Sequence, residues 1–495
     1  MRSSFAFVAS LLSVANLALA APFAEKVDKR SMVEKDGVRY NVFEHAATGA
    51  KLEFVNNSGI CETTPGVNQY SGYLSVGTNM NMWYVTATPA LEETRNTDET
   101  RRFWLFEARE NPTTAPLAAW FNGGPGCSSM IGLFQENGPC HFVDGATEPS
   151  LNEYSWNSYA NMIYIDQPIG VGFSYGTDDV TSTVTAAPYV WKLIQAFYDA
   201  FPQYESRDFG IFTESYGGHY GPEFAHYIQD QNKGVANGSV DGQNINLIAL
   251  GVNNGWIDAE LQEKAYIDFS VNNSYKQIIS QSEATSYYNT YEKTCLPAIQ
   301  TCESTGTNTA CVNADNKCYN GIEGPLTEEA DFNVYDVRIG ASVTDPPETY
   351  ADYLARDDVV KAIGARSTYA ECPNDAYYKF SSTGDNPRSF LPELSSVVQS
   401  GLTTVVWAGD ADWICNWMGN YDVAQVVEFD GQSEFRAASL EPYTVGGTEG
   451  GTFKTVDNFS FLRVFEAGHE VPYYQPELAL QVFKQTMQQK PLSST

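Results

Sequence analysis

The apolar positions along this chain fall mostly into short unbroken runs bounded by turn residues, a pattern that predicts strands buried on both faces. Residues 116–121, 162–165, 209–212, 246–252, 403–409 and 459–465 are such runs. Two earlier runs, the alternating 70–76 and the apolar 103–108, predict a hairpin pair. Between the buried runs the spacing turns helical: 188–201 predicts one helix, and Tyr220, Phe224, Tyr227 and Ile228 place another over 217–231. Strands alternating with helices predict an α/β fold whose mainly parallel sheet is covered on both faces. From about residue 256 to 370 this rhythm breaks into helical, Tyr-rich segments, an insertion over the top edge of the sheet within one domain spanning 31–495. Residues 84–102, rich in Thr, Glu and Arg, fit neither flanking strand and are long for a hairpin loop. They read either as a solvated excursion or as a retained in-frame intron, which the transcript would distinguish.

Composition narrows the setting. Nine cysteines in 495 residues, with a formal charge of -32, exclude a basic nucleic-acid surface and point to four disulfides and one odd thiol. Cys295, Cys302, Cys311 and Cys318 have spacings that also occur in metal sites, but export favours disulfides. Export is read from the leader: Arg2, an apolar stretch over 5–19, and the small-residue site Ala18-Leu19-Ala20 predict a signal peptide over 1–20. That stretch is too short for a membrane span, and the polar C-terminus predicts no lipid anchor. Lys29-Arg30 is a candidate end of a propeptide over 21–30, and Asn56, Asn237, Asn272 and Asn458 head glycosylation sequons. An extracellular destination is expected, with the vacuole as the alternative.

The chemistry is read at the ends of the strands, where open α/β sheets place their sites. Thr213-Glu214-Ser215-Tyr216-Gly217 lies between a strand and a helix and matches G-x-S-x-G except that Thr213 replaces the first Gly. A serine hydrolase on such a sheet uses the chain order Ser, acid, His. His45 and His141 precede the serine, and His219 and His226 lie inside its helix, so His469, after the last strand, is the candidate base. Asp410 directly follows a strand and is the expected acid; Asp412 is the rival. Tyr216, following the nucleophile, and Gly124, in a Gly-rich turn after an earlier strand, are the expected oxyanion donors.

The stretches Trp120-Phe121-Asn122-Gly123-Gly124-Pro125-Gly126-Cys127-Ser128-Ser129, Glu214-Ser215-Tyr216-Gly217-Gly218, Ala408-Gly409-Asp410 through Ile414-Cys415-Asn416-Trp417, and Gly468-His469-Glu470-Val471-Pro472 resemble the serine carboxypeptidases. The resemblance runs through nearly the whole mature chain in the same order. It implies an α/β-hydrolase core with an insertion, no cofactor, no metal, and release of single residues from peptide and protein C-termini. It further implies that Trp120, Asn122, Glu136 and Glu214 recognise the terminal carboxylate, and that Cys127 pairs with Cys372, leaving Cys415 free beside the site. The remaining expected pairs are Cys61 with Cys140, Cys295 with Cys318, and Cys302 with Cys311. Two adjacent carboxyls, Glu136 and Glu214, are expected to retain a proton, which favours peptide hydrolysis at acidic pH. Glu470, where other members carry an apolar residue, is a candidate for attracting basic side chains. An esterase or acyltransferase would keep Ser215, the acid and His469 without needing the carboxylate-binding set; a binding protein descended from an enzyme would be expected to lose a member of the triad.

Overall fold

In a computed structural model of the chain, residues 29–44, 51–75, 100–143, 145–177 and 179–495 are described. The signal peptide, and 84–99 of the expected excursion, lie outside them. Among these residues one sheet of thirteen strands organises the molecule. In chain order the strands are β1 (Lys29–Lys35), β2 (Val38–Glu44), β3 (Lys51–Asn56), β4 (Gln69–Ser75), β5 (Thr100–Phe106), β6 (Leu117–Phe121), β7 (Asn161–Ile165), β8 (Phe209–Glu214), β9 (Leu247–Asn253), β10 (Thr403–Gly409), β11 (Glu441–Val445), β12 (Thr448–Val456) and β13 (Phe459–Val464). Their order in space is β1-β2-β3-β4-β5-β7-β6-β8-β9-β10-β13-β12-β11. The central six, β7 to β13, pair in parallel. Antiparallel meanders extend the sheet at both edges.

The apolar runs become central strands because both faces of the sheet are covered. Along β6, Leu117, Ala119 and Phe121 point into a core with helices α1 (Thr183–Ala200) and α2 (Gly217–Asn237), while Ala118 and Trp120 point into the opposite core. There Phe483 of the C-terminal helix Pro476–Met487 stacks on Trp156 at 4.3 Å. The five outermost strands, β1 to β3 and the β11–β12 hairpin, were not among the expected elements. Their alternation is weak and their edges polar, so they lack the continuous apolar runs of the centre.

Three boundaries differ from expectation for local reasons. Helix α1 begins at Thr183 because Ser182 and Thr185 form a reciprocal cap, which leaves Pro188 inside the helix rather than at its start. Strand β5 starts at Thr100, so Thr100 to Arg102 belong to the sheet, paired with β4, and not to an excursion. Arg101 and Arg102 are buried, and Arg102 packs 4.5 Å from the Phe173 ring. The helical stretch between β9 and β10 continues past 370, to Leu391–Gln399, whose Leu394, Val397 and Val398 join the same core as α2.

Disulfides join Cys61 to Cys140, Cys127 to Cys372, Cys295 to Cys318 and Cys302 to Cys311, while Cys415 is free and buried. Both Cys295 and Cys318 beside Glu263 are therefore oxidised, and the cluster of the three holds no thiolate ligand for a metal. Asn56, Asn237 and Asn272 are exposed. Asn458 differs: its amide nitrogen donates to the Val398 and Leu402 carbonyls at 2.9 and 2.7 Å, so this sequon is used within the fold. Lys29 and Arg30, the dibasic pair, open strand β1 opposite Glu44 and Phe43. No helix among the described residues is long and apolar enough to cross a membrane.

The Thr213 exception at the turn is accommodated by the helix that follows. A Cβ on Gly217 would lie 2.5 Å from Thr213 Cβ, and one on Gly221 would lie 2.8 Å from its hydroxyl. The same hydroxyl donates to the Gly217 carbonyl at 2.8 Å. Alanine normally stabilises a helix relative to glycine, yet Gly217→Ala is expected to destabilise by roughly 1–3 kcal/mol through overpacking. Combining it with Thr213→Gly should recover part of that loss. A denaturation double-mutant cycle checks this, and additive losses would show that the two positions do not oppose each other.

Candidate active site

Strand β8 ends at Glu214, and the chain turns sharply through Ser215 into α2. Ser215 has φ +63°, a left-handed backbone that a non-glycine residue adopts only when its surroundings enforce it. Three backbone bonds do so: Ser215 N–H donates to the Asn253 carbonyl at 3.1 Å, and the Ser215 carbonyl accepts from Gly218 and Trp256 at 2.8 Å each. The side chain is thereby presented into a cavity of about 480 Å³ at the C-terminal ends of the parallel strands. His469, Asn122, Gly124, Glu214 and Glu470 line the same cavity. Residues of the insertion, including Tyr335, Asp345, Glu348 and Tyr377, complete its walls.

The acid differs from expectation. His469 Nδ1 faces Asp412 Oδ2 at 3.0 Å, not Asp410. The hydrogen-bonding network assigns the proton to Nδ1, which leaves Nε2 as the acceptor nitrogen. Asp412 is fully buried and also accepts from Asn254 Nδ2 at 2.7 Å, Cys415 N–H at 3.1 Å and Ile414 N–H at 3.2 Å. Asp410 is committed elsewhere: Arg463 Nη2 donates to it at 2.9 Å, Tyr275 OH at 2.5 Å and Glu466 N–H at 3.0 Å. The reason is the course of the loop after β10. Asp410 N–H still pairs with the Val464 carbonyl as an extension of the sheet, and Ala411 N–H then bonds the Ala467 carbonyl. Only after that turn does the chain face His469. Arg463, in the neighbouring strand and paired with Ala408, was the sequence signal that Asp410 already had a partner.

The second feature of the cavity is a pair of buried carboxyl groups. Asn122 Nδ2 donates to Glu136 Oε1 at 3.2 Å and to Glu214 Oε1 at 3.1 Å. Asn122 is itself held through Oδ1, which accepts from Trp120 Nε1 at 2.8 Å and Gly132 N–H at 2.9 Å. Trp120 is fully buried and lies behind Asn122, so its indole orients the amide rather than facing the cavity. Burial raises the pKa of Glu136, and burial followed by repulsion from Glu136 pushes Glu214 well above the carboxylate range. The two side chains bond each other, an arrangement that needs a proton between them.

The remaining expected residues gather around this centre. Gly124 has φ +113°, and a Cβ on the adjacent Gly123 would lie 2.4 Å from the Tyr216 nitrogen. Only glycine lets these two backbone segments approach so closely. Cys415 is buried near Ser215, and burial raises its thiol well above the usual range. Glu470 is raised well above the carboxylate range by burial first and then by Glu136, Glu371, Asp345 and Glu348. Three residues absent from the expected site hold it together. Tyr335, from the insertion, accepts from His469 N–H at 2.9 Å through its carbonyl and packs its ring 5.1 Å from the imidazole. Asn254 orients Asp412, and Asn253 reaches Glu214 at 2.9 Å.

Similarity to known proteins extends over most of the chain. The profile described as serine carboxypeptidase matches residues 59–489. The chain belongs to the serine carboxypeptidase family. It is 68% identical over 442 residues to carboxypeptidase S1 of Penicillium janthinellum, covering 89% of this chain and 100% of the relative. It is 38% identical over 427 residues to carboxypeptidase Y of Schizosaccharomyces pombe, covering 84% of this chain and 40% of that relative. The structure of Kex1(delta)p, a prohormone-processing carboxypeptidase from Saccharomyces cerevisiae, superposes with a TM-score of 0.69 at 24% identity, over 86% of this chain and 94% of that one. That similarity shows the α/β-hydrolase fold. This serine carboxypeptidase is thus an exopeptidase of the serine-hydrolase class.

The exchange of acids is directly measurable. Asp412→Asn should lower kcat by about ten-thousand-fold, because an amide facing Nδ1 supports the wrong imidazole tautomer. Asp410→Asn should leave kcat on the scale of the unsubstituted enzyme while costing roughly 1–3 kcal/mol of stability through the weakened Arg463 contact. Steady-state kinetics and denaturant titration of the two variants check the assignment; the reverse pattern would restore Asp410.

Proposed function

We propose that the enzyme removes single C-terminal residues from peptides and proteins through an acyl-enzyme, with Ser215 as nucleophile. His469 takes the Ser215 proton and passes a proton to the leaving amine, and Asp412 holds the imidazole and stabilises its cation. The amide N–H groups of Gly124 and Tyr216 receive the oxyanion. Asn122 and Glu214 bind the terminal carboxylate, with Glu136 sharing the proton and Trp120 fixing Asn122. The observation that carries this reading is the buried Asn122, Glu136 and Glu214 set in hydrogen-bonded contact beside Ser215. Neither an esterase nor an acyltransferase needs a site for a free carboxylate. A leader over 1–20, four disulfides and exposed sequons at Asn56, Asn237 and Asn272 support a secreted glycoprotein.

The pH dependence follows from the sign of the carboxyl shifts. Below the raised pKa the pair keeps a proton and donates to the substrate carboxylate; above it both groups are ionised and repel that carboxylate. Peptide hydrolysis is therefore expected to be favoured in acid, its KM rising as pH increases, while the corresponding C-terminal amide is less affected. Paired pH profiles of a blocked dipeptide and its amide check this; profiles that coincide throughout would remove the carboxyl pair from substrate recognition.

Selectivity should follow the charge of the walls. Asp345, Glu348, Glu371 and Glu470 line the cavity, and no Lys or Arg does among the described residues. Such walls attract a cationic side chain, and that cation would favour the ionised Glu470 against the burial that raises its pKa. Release of C-terminal Arg or Lys relative to Leu should fall several-fold in Glu470→Gln, a difference of about 1 kcal/mol. An unchanged ratio in competition assays would remove Glu470 from the specificity account.

A further inference from the structure

Asn253 ends strand β9 directly opposite Glu214 in the parallel register. Its carbonyl accepts the Ser215 N–H at 3.1 Å. Its side-chain nitrogen donates to Glu214 Oε2 at 2.9 Å and to the His469 carbonyl at 3.0 Å. One residue therefore touches the nucleophile's backbone, the backbone of the base and one carboxyl of the substrate-binding pair. The orientation of the amide is fixed by chemistry, since turning it would aim Oδ1 at two acceptors. The side chain is fully buried, and its Oδ1 has no partner among the described residues.

We propose that Asn253 is a positioning residue that joins substrate-carboxylate recognition to the catalytic base and sets the upper pH limit of peptide hydrolysis. The inference rests on the carboxyl-pair reading above. The two members of the pair are not equivalent. Glu214 accepts N–H donors from both Asn122 and Asn253, whereas Glu136 accepts one, from Asn122. The groups facing Glu214 from the surrounding elements are Glu136 at the end of the short helix Gly132–Glu136, Glu470 beside the base, Cys415 after β10 and Tyr335 from the insertion. None is a cation, apart from the protonated state His469 reaches during turnover. The Asn253 donor therefore opposes burial and carboxyl repulsion by favouring the ionised Glu214. Removing it makes the pair hold its proton to higher pH. The same bond ties the pair to the His469 backbone, so a carboxylate seated on Glu214 is registered against the base.

The test is the pH profile of kcat/KM for a blocked dipeptide and its C-terminal amide in the unsubstituted enzyme, Asn253→Ala and Asn253→Gly. Rates are normalised to active sites titrated with a serine-reactive phosphonate. The alkaline limb seen only with the peptide should move upward by about 1 pH unit in both variants, through KM. The limb of the amide should keep its position, while kcat falls for both substrates as His469 loses its anchor. A peptide limb that stays in place, or peptide and amide limbs that move together, overturns the role of Asn253. Coincident limbs already present in the unsubstituted enzyme would instead overturn the carboxyl-pair reading, and this proposal with it.

Discussion

Two carboxyl groups buried against each other cannot both carry a full charge without a cation or a proton between them. Glu136 and Glu214 are such a pair, and much of the surrounding structure serves to keep them dry, adjacent and oriented. Asn122 bridges them, and Trp120 and Gly132 hold Asn122. The glycine at 132 is required there, because a Cβ would lie 2.0 Å from the Trp120 indole nitrogen. Trp120 in turn is locked by edge-on packing against Trp156 in the lower core. The proposed recognition of a terminal carboxylate thus reaches down through the sheet to the aromatic packing beneath it.

The catalytic side chains are held by a different part of the same framework. The left-handed Ser215 is enforced by β9 and the turn that follows, and Asp412 by Asn254, the neighbour of the residue that reaches Glu214. In the proposed reaction, adjacent strand ends position both the substrate carboxylate and the scissile carbonyl on one rigid edge. The insertion contributes less to the chemistry than to enclosure. Its Tyr335 steadies the His469 backbone, and its acidic residues make the walls of the cavity. The Cys127–Cys372 disulfide ties the Gly-rich turn after β6 to the helical stretch between β9 and β10.

The parallel centre was legible because fully buried strands must be continuously apolar, and the order of nucleophile and base follows from the order of those strands. The outer meanders were not, since half-exposed strands such as Lys29–Lys35 resemble polar loops in sequence. Ser215 and His469 could be placed from strand ends alone. Asp410 could not be separated from Asp412 in that way, because both follow the same strand and only the neighbouring Arg463 distinguishes them. Asn253 and Tyr335 were missed because neither carries reactive chemistry; their roles come from what β9 and the insertion place beside them. Thr213 is the opposite case, an apparent defect in the motif that Gly217 and Gly221 accommodate.

The shared proton between Glu136 and Glu214 is the central physical claim, and calorimetry of carboxylate binding reads it without turnover. Binding of a blocked amino acid, which presents the free carboxylate of a substrate C-terminus, would be titrated in buffers of differing ionisation enthalpy as pH rises through the limb of peptide hydrolysis. The account predicts that binding takes up about one proton per site above that limb and that uptake is lost when Glu136 is replaced by Gln. Binding of equal affinity across the same range, with no proton taken up, would contradict it.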